Sequence, residues 1–458
     1  MMAKFIVTAI NPENGQRTRF HYDNATSELT RESGEPLVQA VEVTERAHVP
    51  AVSRQTPLGK TSPRTLKISL GLSCNYKCEY CSQRFVPRAD ETNPGDVQAF
   101  IEGLDAWVTS PPEKVEFWGG EPLVYIKTMR PLAEAIKAKF PKAELSVITN
   151  GSLLNDDINE WLDRMGFSVG ISHDGPGQHV RGPDPLQDPQ QRAAIMALYA
   201  RLAPQRRISF NAMVNRENAS RAAIQRFFIE LTGDPMVPIG EGSFVDAYDE
   251  GGIAHSLQPY ELHPYRSLAF HEIRTGQAAN VQSVSSKTAS FVNSIRSRRP
   301  ASSLGQKCGM DKSDSIAVDL RGNVLTCQNV SAASTAPNGQ AHRIGRVTDL
   351  AAVKLDTATH WSKRADCPNC PMLQICQGSC MFLEGPLWDR SCDNAFSDAV
   401  PIFAAGIEFL TGQVPVHIQG MFREDRKDIF GISGQGLNNQ GATPKPARKP
   451  FPIPVVSV

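Results

Sequence analysis

Three cysteines, Cys74, Cys78 and Cys81, lie in the run GLSCNYKCEYCSQ, and their spacing constrains this chain more than any other feature. Soft thiolate ligands select iron–sulfur clusters or zinc over hard cations. Three thiolates on one short loop suit three irons of a [4Fe–4S] cube and leave the fourth iron open to a substrate or cofactor. The alternative is a structural zinc site. Zinc takes four ligands in tetrahedral geometry, and closed sites usually show paired Cys-x2-Cys units. No fourth Cys or His lies within this loop.

Composition narrows the setting. At 458 residues the chain is long enough for two or three domains and a sizeable core. Lys plus Arg and Asp plus Glu number 48 each. That balance gives no support for nucleic acid or a membrane surface as partner. No apolar stretch approaches the roughly 20 residues of a bilayer span. The opening MMAKFIVTAINPENGQ has neither the apolar run nor the small-residue cleavage site of a signal peptide. All ten cysteines fall into motifs. Without an export signal, this argues for reduced thiols, metal ligation and a cytoplasmic location.

Along the chain, FIVTAI and RTRFHYD read as strands joined by a Pro-Glu-Asn-Gly turn, so residues 1–60 form a β-rich extension. From residue 64 strands and helices alternate. TLKISL runs into the Cys loop, and Asn93-Pro94 offers a helix start before Val97, Phe100, Ile101, Leu104 and Val108. VEFW, LSVIT, FSVGIS and RISFNAMV follow as strands, each trailed by a helical stripe. Asn155 caps one such helix and Gly166 ends it. Repeated βα units without a dinucleotide fingerprint predict a full or partial barrel over residues 64–300. Chemistry in such barrels sits on loops at the C-terminal ends of the strands, where the Cys loop falls. Residues 301–400 are cysteine-rich and short-stranded. Residues 412–458, rich in Gly, Asn and Pro, read as a flexible tail.

The second strand ends in Gly119-Gly120-Glu121-Pro122, where glycines let the backbone approach a ligand closely. Together with Cys74-x3-Cys78-x2-Cys81 and the aromatic Tyr80 before the last cysteine, this resembles the radical S-adenosylmethionine (SAM) enzymes. The resemblance implies that the open iron is chelated by SAM. One electron then cleaves the sulfonium and releases a 5′-deoxyadenosyl radical. It also implies that the GGEP stretch meets the amino group of SAM. Thr149-Asn150-Gly151 and Ser172-His173-Asp174-Gly175-Pro176 end the next two strands and resemble the same family. By that resemblance Ser172 and Asp174 lie near the SAM ribose, Arg181 holds its carboxylate, and Asn211 is a further contact. A planar guanidinium suits bidentate carboxylate binding.

Seven cysteines remain. Cys308 precedes Gly322 and Cys327, then come Cys367-x2-Cys370-x5-Cys376-x3-Cys380 and finally Cys392. This order resembles the SPASM domain of peptide-modifying radical SAM enzymes, so the expected fold is α/β: a partial (β/α)6 TIM-like barrel followed by a cysteine-rich SPASM iron–sulfur domain. The resemblance implies two auxiliary [4Fe–4S] clusters. A distal one is held by Cys367, Cys370, Cys376 and Cys392, and a proximal one by Cys308, Cys327 and Cys380. The proximal cluster then has an open iron or takes a non-cysteine ligand such as Asp311 or Asp314. The run SIAVDL-RGN-VLTC reads as a hairpin that aims Cys327 back at the barrel.

The resemblance implies an enzyme that takes a hydrogen from a peptide or protein substrate, such as a ribosomally made precursor, and closes a C–C or thioether crosslink. A low-potential donor such as flavodoxin or ferredoxin supplies electrons. An alternative within the superfamily is anaerobic sulfatase maturation, the oxidation of Cys or Ser to formylglycine. Those members carry an acidic residue directly after the cysteine equivalent to Cys327, and here it is Gln328, which takes up no proton at neutral pH. An alternative from another class is a non-catalytic cysteine-rich zinc protein that binds a partner.

Overall fold

A computed structural model of the chain describes residues 4–431 except Thr44, Ala47, Glu91, Asn338, Thr357 and Ala358. The chain opens with the expected hairpin, β1 (Lys4–Ile10) and β2 (Arg17–Asp23), followed by β3 (Glu28–Arg31) and a two-residue β4 (Leu58–Gly59). Five parallel strands come next: β5 (Thr65–Ser69), β6 (Lys114–Trp118), β7 (Glu144–Thr149), β8 (Ser168–Ser172) and β9 (Ile208–Asn211). Between and after them run α1 (Asp96–Gly103), α2 (Ile126–Lys139), α3 (Asp156–Arg164), α4 (Pro189–Leu202) and α5 (Arg221–Thr232). Local signals set these boundaries. The Asn155 side chain accepts the Ile158 N–H at 2.9 Å and starts α3, and Ser220 does the same for Ala223 at 3.0 Å to start α5.

Side chains alternate along each barrel strand. Leu66 and Ile68 of β5, Val115 and Phe117 of β6, and Leu145 and Val147 of β7 are buried against the helices. The opposite face is polar: Lys67 pairs with Glu116 at 3.5 Å, and Trp118 donates to Glu116 at 2.8 Å. The sixth repeat is reduced. Beyond β9 a parallel bridge at Ile239 joins Phe210 on one side and Val281 on the other.

At the other edge, β10 (Ser315–Asp319) pairs in parallel with β5, and β11 (Asn323–Leu325) folds back on it as the expected hairpin. β12 (Arg343–Arg346) completes an eight-stranded sheet in the order β12-β11-β10-β5-β6-β7-β8-β9. The cysteine-rich segment is thereby hydrogen-bonded into the barrel sheet.

Several helices were not foreseen. They are α6 (Glu250–Ala254), α7 (Leu262–Arg274), α8 (Gln282–Arg296), α9 (Leu373–Cys376) and the long α10 (Gly385–Thr411), which carries Cys392. The expectation of a tail from residue 412 also needs correction. Residues 414–419 form a strand that pairs antiparallel with β1, so the N-terminal hairpin belongs to a four-stranded sheet closed from the far end of the chain. VPVHIQ buries Val416 and Ile418, and pairing with a strand some 400 residues away left no local mark. Residues 432–458 of the expected tail lie outside the described residues. Aromatic contacts of Tyr22 with Phe291 on α8 and Phe403 on α10 seat this sheet on the C-terminal helices.

A buried charge network ties α5 to α10. The Arg221 guanidinium donates to Asp398 and, at 2.9 Å, to the Tyr265 hydroxyl, which donates to Asp398 at 2.8 Å. Lys287 reaches the second Asp398 oxygen at 3.4 Å. Burial alone would raise the Asp398 pKa, but Arg221 and Lys287 outweigh it and hold the carboxyl below the usual range. Its contribution is therefore present at neutral pH and drains as pH falls below about 4. Asp398→Asn leaves Arg221 buried without its counter-ion and is expected to destabilise the fold by about 3–5 kcal/mol, read as a lower thermal midpoint. The gap to the parent should narrow in acid.

Candidate functional site

The Cys loop leaves the C-terminal end of β5 and is gripped by the ends of the next two strands. Gly120 donates its N–H to the Gly71 carbonyl at 3.0 Å, and Glu121 donates to Ser73 at 2.9 Å. The approach is so close that a Cβ on Gly120 would stand 2.5 Å from the carbonyl oxygens of Leu72 and Ser73. The glycine here thus serves backbone-to-backbone packing, with the Cys loop itself as the neighbour. Glu121 is buried, and its carboxylate accepts from Leu123 N–H, the Thr149 hydroxyl and Asn150 N–H at 3.0, 2.7 and 2.7 Å. Burial raises the Glu121 pKa and these three donors oppose the rise. Pro122 opens the short turn that follows. Asn150 continues the chain of contacts to Asn75, inside the Cys loop, at 2.8 Å. Sequence reasoning missed Asn75, because a lone polar residue between cysteines carries no pattern.

The loop's other side rests on the end of β8. Tyr80 donates its hydroxyl to Asp174, and Arg181 donates to Tyr80 at 3.0 Å and to Asp174 at 3.4 Å. Asp174 is fully buried and also accepts the Met213 N–H at 2.9 Å, so its carboxylate is engaged within the protein. The Arg181 Nε is buried with no partner among the described residues. Burial pushes the Cys78 thiol up to about 11, and the Arg181 guanidinium pulls the other way. Ser172 and Asn211 are paired neighbours at the ends of β8 and β9, both part-exposed. The Asn211 side chain fills the space left by Gly170 and Gly240.

The other seven cysteines fall into two electrostatically coupled groups. Cys327 senses Cys308 and Cys380, and also Lys67 of β5. Burial pushes Cys327 up to about 12 and Cys380 up to about 11. The Tyr248 hydroxyl lies beside the Cys380 sulfur. The second group is Cys367, Cys370, Cys376 and Cys392, which together line one pocket. There Arg426 reaches the Cys392 sulfur at 3.5 Å through both terminal nitrogens and stacks on Phe396. Arg364, stacked on Trp388, feels Cys367, Cys380 and Cys392 and so lies between the two groups. Sequence pattern did not reveal either arginine.

Free thiols held this high are neutral at physiological pH, and coordination to a metal removes the proton outright. Among the described residues no three His, Cys, Asp or Glu side chains close on a point as the ligands of a single ion do. The distal thiols ring a pocket instead. Three thiols beside a half-buried guanidinium whose buried Nε is unpaired fit a cluster next to a carboxylate-bearing ligand.

Residues 68–221 match the family model described as Radical SAM superfamily. This stretch is a radical SAM domain, and such a domain implies a [4Fe–4S] cluster and SAM as cofactors. The non-catalytic zinc alternative falls with that match. The chain is 24% identical over 344 residues to the serine-type anaerobic sulfatase-maturating enzyme of Klebsiella aerogenes, covering 68% of this chain and 78% of that protein. It is 24% identical over 174 residues to the radical SAM cyclopropyl synthase TigE of Paramaledivibacter caminithermalis, covering 34% of this chain and 36% of that one. The solved structure of native anSMEcpe with bound AdoMet and Cp18Cys peptide shares the fold. Its TM-score is 0.54 at 18% identity, over 75% of this chain and 99% of that one. No helix among the described residues is long and apolar enough to cross a membrane.

Because Gly120 leaves no room for a side chain, Gly120→Ala should push the Cys loop off the end of β6. The expected result is loss of about four irons per chain with the thermal midpoint little changed, read by iron analysis and a melting curve. Full iron content in that variant would contradict the packing described.

Proposed function

We propose that this enzyme takes a hydrogen from a peptide or protein substrate, in particular a ribosomally made precursor, and closes an intramolecular C–C or thioether crosslink. Cys74, Cys78 and Cys81 hold the catalytic cluster. Arg181 holds the SAM carboxylate through its unpaired edge, with Tyr80 and Asp174 fixing its plane. Gly119 to Pro122 meet the amino group of SAM, Thr149 and Asn150 border the same site, Ser172 lies near its ribose, and Asn211 is a further contact. When bound, cluster and SAM supply the one-electron chemistry of hydrogen abstraction, and the protein supplies position and shielding. Cys308, Cys327 and Cys380 hold a proximal auxiliary cluster, and Cys367, Cys370, Cys376 and Cys392 a distal one. Flavodoxin or ferredoxin is the fitting donor.

The observation that carries this reading is the grouping of the seven C-terminal cysteines into three and four. The group of three lies beside Lys67, on the strand that leads into the Cys loop. Of the two hydrogens lost in such a crosslink, one leaves as an atom and the other as a proton with one electron, and an auxiliary cluster beside the barrel would take that electron. The structure of anSMEcpe with a bound peptide supports a peptide as substrate class. The Klebsiella relative favours a second reading, oxidation of Cys or Ser to formylglycine. Gln328 weighs against it. It is nearly buried, its amide oxygen lies 3.7 Å from the Cys327 sulfur, and a neutral amide takes up no proton.

Two measurements test this. Anaerobic reconstitution should load three clusters, about twelve irons per chain. Saturation at about four irons would leave the core cluster alone. Tandem mass spectrometry of a co-expressed precursor should show a product lighter by two hydrogens, with proteolysis blocked across the linked residues and no carbonyl. An aldehyde-reactive product would move the assignment to the second reading.

A further inference from the structure

We infer that Asp311 completes the ligand set of Cys308, Cys327 and Cys380, its Oδ1 taking the fourth iron of the proximal cluster. The inference rests on the auxiliary clusters proposed above. Three thiolates leave one iron of a cube without a protein ligand. Asp311 lies three residues after Cys308 in a loop that closes on itself. The Gln306 N–H donates to Asp311 Oδ2 at 2.7 Å, Gly309 turns back to Gln306 O at 3.1 Å, and Gly309 has φ +67°. Cys308 belongs to that loop, three residues before Asp311.

Asp311 is only 2% exposed, yet Oδ1 has no hydrogen-bond partner among the described residues. A buried, half-satisfied carboxylate is costly unless it is paired or binds a metal. Lys60 anchors the backbone around it by donating to the carbonyls of Met310, Lys312 and Ser315 at 2.8, 2.8 and 2.9 Å. The loop is therefore held in place without a direct ion pair to the carboxylate.

Competing groups near the three thiols are engaged elsewhere. Asp314 pairs with Arg64 at 3.1 Å at a part-exposed position. Asp246 accepts from Ser379 at 2.8 Å and lies 3.6 Å from Lys307. Burial raises the Tyr248 phenol pKa, so it stays protonated, and Gln328 is neutral. Carboxylate oxygen is a harder ligand than thiolate, so the iron it holds differs from its three thiolate-bound neighbours.

The test uses the full-length chain with Cys74, Cys78 and Cys81 all changed to Ala, which removes the core cluster and leaves the auxiliary pair in view. After reconstitution with 57Fe, Mössbauer spectra are compared for this parent and for Asp311→Asn, Asp311→Cys and Asp314→Ala added to it. Asp311→Asn keeps the size and an acceptor for Gln306 but loses the anionic ligand. Asp311→Cys supplies a thiolate in its place. In the parent, about one iron in eight should show a distinct, oxygen-ligated doublet. That doublet should change in Asp311→Asn, merge with the thiolate-bound irons in Asp311→Cys, and persist in Asp314→Ala. Spectra of Asp311→Asn and Asp311→Cys that both superimpose on the parent at equal iron content would overturn the assignment. A parent that binds no iron would overturn the auxiliary clusters themselves, and this ligand with them.

Discussion

Two backbone hydrogen bonds, from Gly120 to Gly71 and from Glu121 to Ser73, hold the Cys loop against the end of the second barrel strand. Everything else at the mouth of the barrel builds on that contact. It fixes where Cys74 begins its turn, and through Glu121 it extends to Thr149 and Asn150 on the third strand. Asn150 then returns to Asn75 within the loop. The result is a closed circuit of polar groups, satisfied internally, that positions three thiols on a segment without regular secondary structure.

Charge balance follows the same logic at each group of thiols. The chain has no net charge, yet buried or half-buried arginines stand where thiolates gather. Arg181 serves Cys78, Arg426 serves Cys392, and Arg364 lies between the two C-terminal groups. Burial pushes these thiols up, so the apo protein holds them neutral, and the guanidiniums offset the charge that appears on metal binding. Arginine suits this task because it stays charged when buried and can stack on an aromatic face, as Arg426 does on Phe396 and Arg364 on Trp388.

What could be read from the sequence was what chemistry fixes at short range. The Cys loop, the GGEP turn, the strand ends and the cysteine order all depend on residue type at set spacing. The barrel strands were legible for the same reason, since their apolar alternation is local. What escaped depends on distant partners. The strand at 414–419 is short and lies among Gly- and Pro-rich sequence, and only pairing with β1 makes it a strand. Helix α10 carries Cys392 and spans 27 residues, but the cysteine-rich composition around it read as loop. Lys67 looked like any polar residue on a strand until β10 docked beside β5 and brought Cys327 to it. Asp174 was read as a ribose contact, and the structure shows its carboxylate bound to Tyr80, Arg181 and Met213. Those neighbours come from the segments after β5, β8 and β9, so they could not be known from the sequence.

The account turns on Cys74, Cys78 and Cys81 forming one reactive centre at the barrel mouth. The most direct measurement is 5′-deoxyadenosine formed from SAM by anaerobic, dithionite-reduced protein, quantified by liquid chromatography for the parent and for Cys78→Ala. The parent should form it and Cys78→Ala should not, while keeping the iron bound by the other seven cysteines. A Cys78→Ala protein that cleaves SAM at the parent's rate would contradict the account.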